Sequence, residues 1–176
     1  MNKLYLELKD GAWPFTYTDH DRQIARAIVI DEEGLYCFVR AERDDDFGKC
    51  TLIETAGGGI EKGESEEQAV LRELREELGA QAEIVCKIGV VSDYYNLIHR
   101  HNINNYFLCR ARSFGETSLT TDEKRVFHLS TLRLSYEEAL KEYDKRAATR
   151  LGSLICAREQ PILKRAHEIL CASESK

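Results

Sequence analysis

The segment spanning residues 56–80, AGGGIEKGESEEQAVLRELREELGA, constrains the fold more than any other part of this chain. It joins a glycine-rich stretch directly to a helix whose two ends are both specified. Ser65, with Gln68 three residues later, is the pattern of a capping box. Gly79 fits the left-handed position just past a helix end. The segment therefore predicts a loop followed by a helix that begins at Ser65 and ends at Leu78.

This predicted helix has an apolar face and an acidic face. Four aliphatic side chains fall within about 100° of arc and should point into a core; they are Val70, Leu71, Leu74 and Leu78. Glu76 and Glu77 follow Glu73 by three and four residues, so helical geometry brings three carboxylates together. Such a cluster is either a solvated acidic surface or a binding site for Mg²⁺ or Mn²⁺, which prefer oxygen ligands and tolerate substrate phosphates.

The loop before the helix, Ala56 to Glu64, contains Gly57, Gly58, Gly59 and Gly63. Glycine permits positive φ and lets the backbone approach a ligand closely. The pattern thus fits either an ordinary flexible turn or a loop that surrounds a bound group.

Elsewhere, strand-like and helix-like segments alternate along the chain. Apolar runs predict six strands at Ile24–Ile30, Leu35–Val39, Thr51–Thr55, Ile84–Val91, Ile103–Cys109 and Val126–Leu134. Helical periodicity predicts helices at Tyr136–Tyr143 and Gln160–Cys171, the latter within a C-terminal helical region spanning 155–172. This mixture predicts an α/β or α+β sandwich, with helices packed against a sheet.

The connections and the N-terminal region can be assigned more coarsely. Asp31 to Gly34 has the chemistry of a hairpin turn, and Glu42 to Lys49 reads as a charged loop. Residues 1–20 are expected to add one edge strand. With 176 residues and no Pro/Gly/Ser-rich linker or internal repeat, we expect a single domain over 1–176.

Composition and charge exclude several classes of partner. The net charge is −6 and the basic residues form no stripe, which argues against duplex nucleic acid as the main partner. The longest apolar run, Leu35–Val39, is too short to span a membrane, and the N-terminus has no apolar signal region. We therefore expect a cytoplasmic protein. A small anionic substrate would need local help from Arg, Lys or a bound cation.

The spacing of charged residues in this segment resembles a known family motif. Gly58, five residues, Glu64, seven residues, then RELREELGA from Arg72 to Ala80 is similar to the Nudix box, G-x5-E-x7-R-E-U-x-E-E-x-G-U, in which U is a bulky aliphatic residue. All seven fixed positions match, Leu74 matches the first aliphatic position, and only Ala80 is smaller than usual. The predicted strands extend the resemblance loosely over residues 22–145.

The resemblance to MutT-like Nudix hydrolases implies a fold, an activity and a cofactor. The fold is an α/β/α sandwich with a central mixed β-sheet. The activity is a Mg²⁺-dependent pyrophosphohydrolase that cleaves a phosphoanhydride bond in a nucleoside diphosphate linked to another group, with Mn²⁺ as a substitute ion. By motif position, Glu73, Glu76 and Glu77 would bind the metal, and the backbone around Gly57 or Gly58 could supply a carbonyl ligand. Glu64 would order the box and contact the metal through water, and Arg72 would orient its carboxylates.

The resemblance leaves open which carboxylate accepts the proton of the attacking water. Some family members use a carboxylate of the box, which favours Glu73 or Glu76. Others use a later loop, where Glu123 is the best placed candidate and Glu116 the reserve. A plain solvated loop charge is the alternative reading of Glu123.

Residues that would select the substrate are less well marked. Arg40 and Arg43 could grip phosphate, with surface charge as the alternative role, and the backbone at Gly58 and Gly59 could approach it. The chain does not distinguish among nucleoside triphosphates, nucleotide sugars, dinucleotides and capped termini. A Nudix-fold sensor that binds a nucleotide without turnover is the rival hypothesis. Homodimers are common in the family, although no segment of this sequence indicates one.

Overall fold

The computed structural model describes residues 3–174, in which eight strands form one sheet flanked by helices. The strands are β1 (Leu4–Leu8), β2 (His20–Ile30), β3 (Tyr36–Asp45), β4 (Gly48–Glu54), β5 (Ala56–Gly59), β6 (Ala80–Tyr95), β7 (Arg100–Phe114) and β8 (Ser130–Leu134). The helices are α1 (Glu66–Leu78), α2 (Thr121–Arg125), α3 (Tyr136–Arg146), α4 (Arg150–Glu174) and a 3₁₀ turn at Asn96–Ile98.

The sheet mixes parallel and antiparallel pairs. Its main order is β1-β6-β7-β2-β3-β4, while β5 pairs with β2 and β8 pairs with β3. Strands β1 and β6 are parallel, as are β2 and β7, and the other pairs are antiparallel. The expected central mixed sheet is therefore confirmed.

The two faces of the sheet carry separate apolar cores because side chains alternate along each strand. On β2, Ala25, Ala27 and Val29 belong to the core formed with α1. Ile28 and Ile30 of the same strand belong to the core formed with α3 and α4. Helices thus cover both faces, which is the sandwich architecture expected from the sequence.

Helix α1 begins and ends as its sequence predicts. The Ser65 hydroxyl accepts a hydrogen bond from the Gln68 amide, and the Gln68 side chain accepts one from the Ser65 amide, at 3.1 and 2.9 Å. Gly79 adopts the left-handed conformation with φ 65°. Five apolar side chains of α1 face the sheet: Ala69, Val70, Leu74 and Leu78 are buried, and Leu71 is partly buried.

Two predicted loops are strands in the structure. The segment 42–49 is not a charged loop, because β3 runs on to Asp45 and β4 starts at Gly48. Its residues alternate between exposed and at least partly buried positions, so the charges line a twisted β-ribbon. The segment 56–64 is only partly a loop, because Ala56 to Gly59 forms β5 against β2. The sequence did not predict this strand because three of its four residues are glycine, which is depleted in strands.

Other boundaries also differ from the prediction. The strand expected over 126–134 is shortened to β8, because α2 and a left-handed residue at His128 precede it. The C-terminal helix is longer than predicted and contains Pro161 in its interior. An edge strand does lie in the first twenty residues, namely β1. Within residues 3–174, no helix is both long and apolar enough to cross a lipid bilayer.

A buried carboxylate ties α4 to the strand that leads into β5. Glu159 is fully buried and accepts hydrogen bonds from the Thr55 amide and hydroxyl, each at 2.8 Å. The Tyr143 hydroxyl and the Arg158 guanidinium donate to it at 2.7 Å each. Burial alone would raise the pKa of Glu159, but Arg158 and Arg26 outweigh it, and the pKa lies below its usual value.

Replacing Glu159 should destabilise the fold strongly. We expect Glu159→Ala to lower the free energy of unfolding by about 3 kcal/mol at pH 7, because it removes the closest counter-ion of the buried Arg158 and leaves the Thr55 amide and hydroxyl without their acceptor. A depressed carboxylate pKa stabilises the fold above the unfolded-state pKa, so the difference from wild type should shrink as pH falls below the ordinary carboxylate range. Urea unfolding measures both effects.

The control is Glu168→Ala on the same helix, where an exposed carboxylate pairs with Arg165 and contributes at most about 1 kcal/mol. A Glu159 variant as stable as this control would contradict the assignment.

Candidate active site

The carboxylates of α1 pack against the glycines of β5. The Glu77 carboxylate accepts a hydrogen bond from the Gly57 amide at 2.8 Å. Glu73 lies so close to Gly58 that a Cβ at that position would fall 2.4 Å from the Glu73 Oε1 atom. Gly57 has φ 148°, and a Cβ there would lie 2.3 Å from the Ala25 carbonyl oxygen. Glycine is therefore required at Gly57, and at Gly58 it leaves the Glu73 carboxylate free to occupy its place against the strand.

Arg72 holds the loop and helix parts of the segment together. Its guanidinium donates to both oxygens of Glu64, at 2.9 and 3.0 Å, and to the Gly59 carbonyl at 3.0 Å. Its Nη1 atom donates to Glu73 at 2.7 Å and to Glu76 at 3.1 Å. One cation thus gathers three carboxylates that would otherwise repel each other.

The carboxylates are crowded enough to alter their pKa values. The pKa of Glu77 is raised to about 8, mainly by burial and in part by the Glu73 and Glu123 charges, while the Gly57 amide and Arg26 act in the opposite direction. Burial also raises the pKa of Glu73, against the opposing effect of Arg72. Both carboxylates therefore lie where burial makes their charged form costly, and a cation bound beside them would offset that cost.

Glu123, predicted from a later loop, reaches this cluster. It lies in α2 and lines a cavity of about 160 Å³ together with Glu77, Gly57 and Arg43. Its carboxylate also accepts the Thr120 amide at 2.6 Å, which caps α2. The structure thus brings together the box carboxylates and Glu123.

Of the remaining residues predicted from the sequence, Glu116 and Arg40 lie away from this cavity, whereas Arg43 lines it. Glu116 is exposed beside Gly79 at the far end of α1, away from the cavity that Glu123 lines. Arg40 is half-exposed, pairs with Glu42 at 2.8 Å and lines neither this cavity nor the one next to it. Arg43 lines both; its guanidinium bonds to Asp45 and packs against the rings of Phe47 and Phe127.

A second cavity of about 230 Å³ continues from the first between the sheet and α4. The two cavities share four lining residues: Arg26, Arg43, Glu54 and Phe127. The sequence reasoning missed most of its polar lining, namely Arg22, Arg26, Glu54, Asn102 and Arg158. A signal existed for Arg26, because a lone arginine inside an apolar strand is unusual. Asn102 and Arg158 carried no such signal.

The donor set fits a hard divalent cation in its chemistry. Carboxylates and a backbone carbonyl are the oxygen ligands that Mg²⁺ and Mn²⁺ take. Among residues 3–174, however, no three acidic, His or Cys side chains converge closely enough to hold an ion as they stand. Arg72 occupies oxygens of Glu64, Glu73 and Glu76, so ion binding requires these side chains to turn.

Comparison with known proteins agrees with this geometry. The family model described as NUDIX domain matches residues 20–151, and the chain belongs to this family. The resemblance noted in the sequence is thereby confirmed.

One curated relative and two solved structures are informative. The chain is 41% identical over 58 residues to the CTP pyrophosphohydrolase of Escherichia coli (strain K12), a match covering 33% of this chain and only 42% of that protein. A NUDIX hydrolase from Nitrosomonas europaea is 17% identical with a TM-score of 0.62, covering 88% of this chain and 90% of the other. A MutT protein from Methanosarcina mazei Go1 is 17% identical with a TM-score of 0.61, covering 88% and 97%. At these identities the two structures establish the shared fold.

Removing the central cation should destabilise α1 and its loop. We expect Arg72→Gln to lower the free energy of unfolding by about 2 kcal/mol without divalent ions, because Glu64, Glu73 and Glu76 lose their charged hydrogen-bond donor. Arg75→Gln, an exposed change of equal charge on the same helix, should alter it by less than about 0.5 kcal/mol. Urea unfolding in a chelator measures both, and equal effects would show that Arg72 does not organise the site.

Proposed function

We propose that this protein is a pyrophosphohydrolase that cleaves a phosphoanhydride bond in a nucleoside diphosphate linked to another group, with Mg²⁺ as the cofactor. The observation that carries the proposal is the packing of Glu73 and Glu77 against the β5 glycines, beside Glu123 and a cleft rich in arginine. This reaction needs two components: a cluster of carboxylates that can bind a divalent cation, and cationic side chains that can bind phosphate.

The carboxylates would hold the cofactor from one side of the cleft. Glu73, Glu76 and Glu77 are the proposed ligands, with Glu64 acting through water and the Gly58 carbonyl as a further oxygen. A divalent cation bound there would neutralise phosphate oxygens and make water a better nucleophile. Arg72, which now holds Glu64, Glu73 and Glu76, would orient these side chains for binding.

We assign the proton acceptor to Glu123. Glu73 and Glu76 both accept hydrogen bonds from Arg72, which occupies their carboxylate oxygens, whereas Glu123 has no cationic partner in the described part of the chain. In the reaction, the water oxygen bonds to phosphorus as Glu123 takes the water proton. The bridging P–O bond breaks, and its electron pair leaves with the departing phosphate.

The relative named for CTP hydrolysis supports phosphoanhydride chemistry, although the match covers less than half of that protein. A nucleotide sensor without turnover is the second candidate. The complete set of box carboxylates argues against it, because a protein that only binds nucleotide has no need of groups that activate water. A panel of about twenty phosphoanhydrides, assayed for release of phosphate or nucleoside monophosphate, would separate the two.

Loss of a box carboxylate should abolish turnover. We expect Glu76→Gln to reduce kcat by at least about 100-fold, because it removes a proposed metal-binding charge while keeping the side-chain volume. Chelation of the divalent ion should abolish hydrolysis in the wild type, and Mg²⁺ should restore it.

The matched control is Glu67→Gln, an exposed change on the first turn of the same helix that should leave kcat within about twofold. Hydrolysis by Glu76→Gln at the wild-type rate would refute the catalytic assignment.

The choice of base has its own test. Glu123→Gln should lower kcat by about 100-fold with little change in KM, because glutamine retains the capping oxygen but accepts no proton. Glu116→Gln should leave kcat unchanged. If Glu123→Gln retained full kcat, the base would lie in the box, at Glu73 or Glu76.

A further inference from the structure

The cavity between the sheet and α4 is strongly cationic. Five guanidinium groups and one carboxylate line it: Arg22, Arg26, Arg43, Arg100, Arg158 and Glu54. A neutral ligand group would leave this imbalance uncompensated, whereas an anion would relieve it. The arginines differ, however, in whether they already have a counter-ion.

Three of the five arginines are neutralised within the protein. Arg43 pairs with Asp45, Arg158 with Glu159, and Arg26 lies 3.8 Å from Glu54. Arg22 and Arg100 are different, because neither side chain has a hydrogen-bond or ion-pair partner in the described part of the chain.

The unsatisfied buried atoms point to the same place. Residues 3–174 contain five buried side-chain polar atoms without a partner, and three of them belong to residues lining this cavity: Arg100 Nε, Asn102 Oδ1 and Arg158 Nε. Buried polar groups in proteins are normally paired, so such a concentration calls for an explanation. Asn102 is only 4% exposed, and a turn of its amide would present an N–H donor instead.

The topology explains why these groups meet. Strands β2 and β7 are parallel and in register, with Arg22 opposite Asn102 and Arg100 two residues before it. Both arginines therefore sit where the two strands begin. Gly59 leaves room for the Arg22 guanidinium, since a Cβ there would lie 3.1 Å from its Nη2 atom.

We propose that Arg22, Arg100 and Asn102 bind a phosphate group of the substrate that is not part of the bond being broken. This inference rests on the proposed function and narrows its substrate class. The preferred substrate is a polyphosphorylated nucleotide, either a nucleoside triphosphate or a dinucleoside polyphosphate, and not a nucleotide sugar. The planar guanidinium fork matches two phosphate oxygens, and a neutral sugar offers it no opposite charge.

Binding of pyrophosphate in a chelator tests the site without catalysis. Isothermal titration calorimetry at fixed ionic strength should show that Arg22→Gln and Arg100→Gln each weaken pyrophosphate binding by at least about tenfold, since each removes a charged hydrogen-bond donor. Arg22 is exposed, so its variant should fold normally. Arg112→Gln is the matched control on β7, because Arg112 is exposed and pairs with Glu83 at the other end of the strand; it should bind within twofold of wild type.

Pyrophosphate binding that is absent from the wild type, or unchanged in both variants, would overturn the proposal. Binding that falls equally in Arg112→Gln would also overturn it, because the effect would then reflect overall charge.

Steady-state kinetics with Mg²⁺ test the substrate class. In Arg100→Gln, KM should rise about tenfold for a nucleoside triphosphate and change less than twofold for a nucleotide sugar of the same base, with kcat little altered. A KM increase for a dinucleoside tetraphosphate as well would assign the site to any phosphate of the chain, and an increase for the triphosphate alone would assign it to a terminal phosphate.

Equal KM changes for all three substrates would overturn the inference. The absence of turnover by the wild type would instead refute the proposed function, while the pyrophosphate titration would still decide whether the anion site exists.

Discussion

Close contact between the acidic face of α1 and the glycines of β5 is the constraint on which the rest of the site depends. A methyl group at Gly58 would overlap the Glu73 carboxylate, and one at Gly57 would strike the Ala25 carbonyl. Glycine therefore lets β5 pair closely with β2 and lets the Glu73 carboxylate lie against the strand. This approach buries Glu73 and Glu77, and burial raises their pKa values because it makes the charged carboxylate costly.

Arg72 and Glu159 stabilise this arrangement in two different ways. Arg72 offsets repulsion among the carboxylates of the loop and helix, at a position only 20% exposed. Glu159, from the other face of the sheet, fixes the Thr55 backbone and hydroxyl immediately before β5. The glycine strand is thus held by α1 on one side and through α4 on the other. Its position does not depend on its own side chains, because it has almost none.

The local sequence pattern was sufficient to predict α1, its two caps and the grouping of Glu73, Glu76 and Glu77, because residues three and four apart lie together on a helix. It was also sufficient to predict a sheet packed against helices, since apolar strand-like runs alternate with segments of helical periodicity. It failed at β5 and at the β3–β4 ribbon, where glycine and charge mask a strand that only pairing partners create. The arginine cavity was beyond local pattern as well. Arg22 and Arg100 are 78 positions apart in the sequence, and only the parallel register of β2 and β7 makes them neighbours.

Helix α4 lies almost wholly beyond residue 151, where the match to the family model ends. It nevertheless supplies Arg158 to the wall of the cleft and Glu159 to the support beneath the glycine strand. The motif at residues 58–80 and the α4 wall of the cleft thus lie in different parts of the chain. Substitutions in this last helix can therefore change the shape and charge of the cleft while the motif itself stays the same.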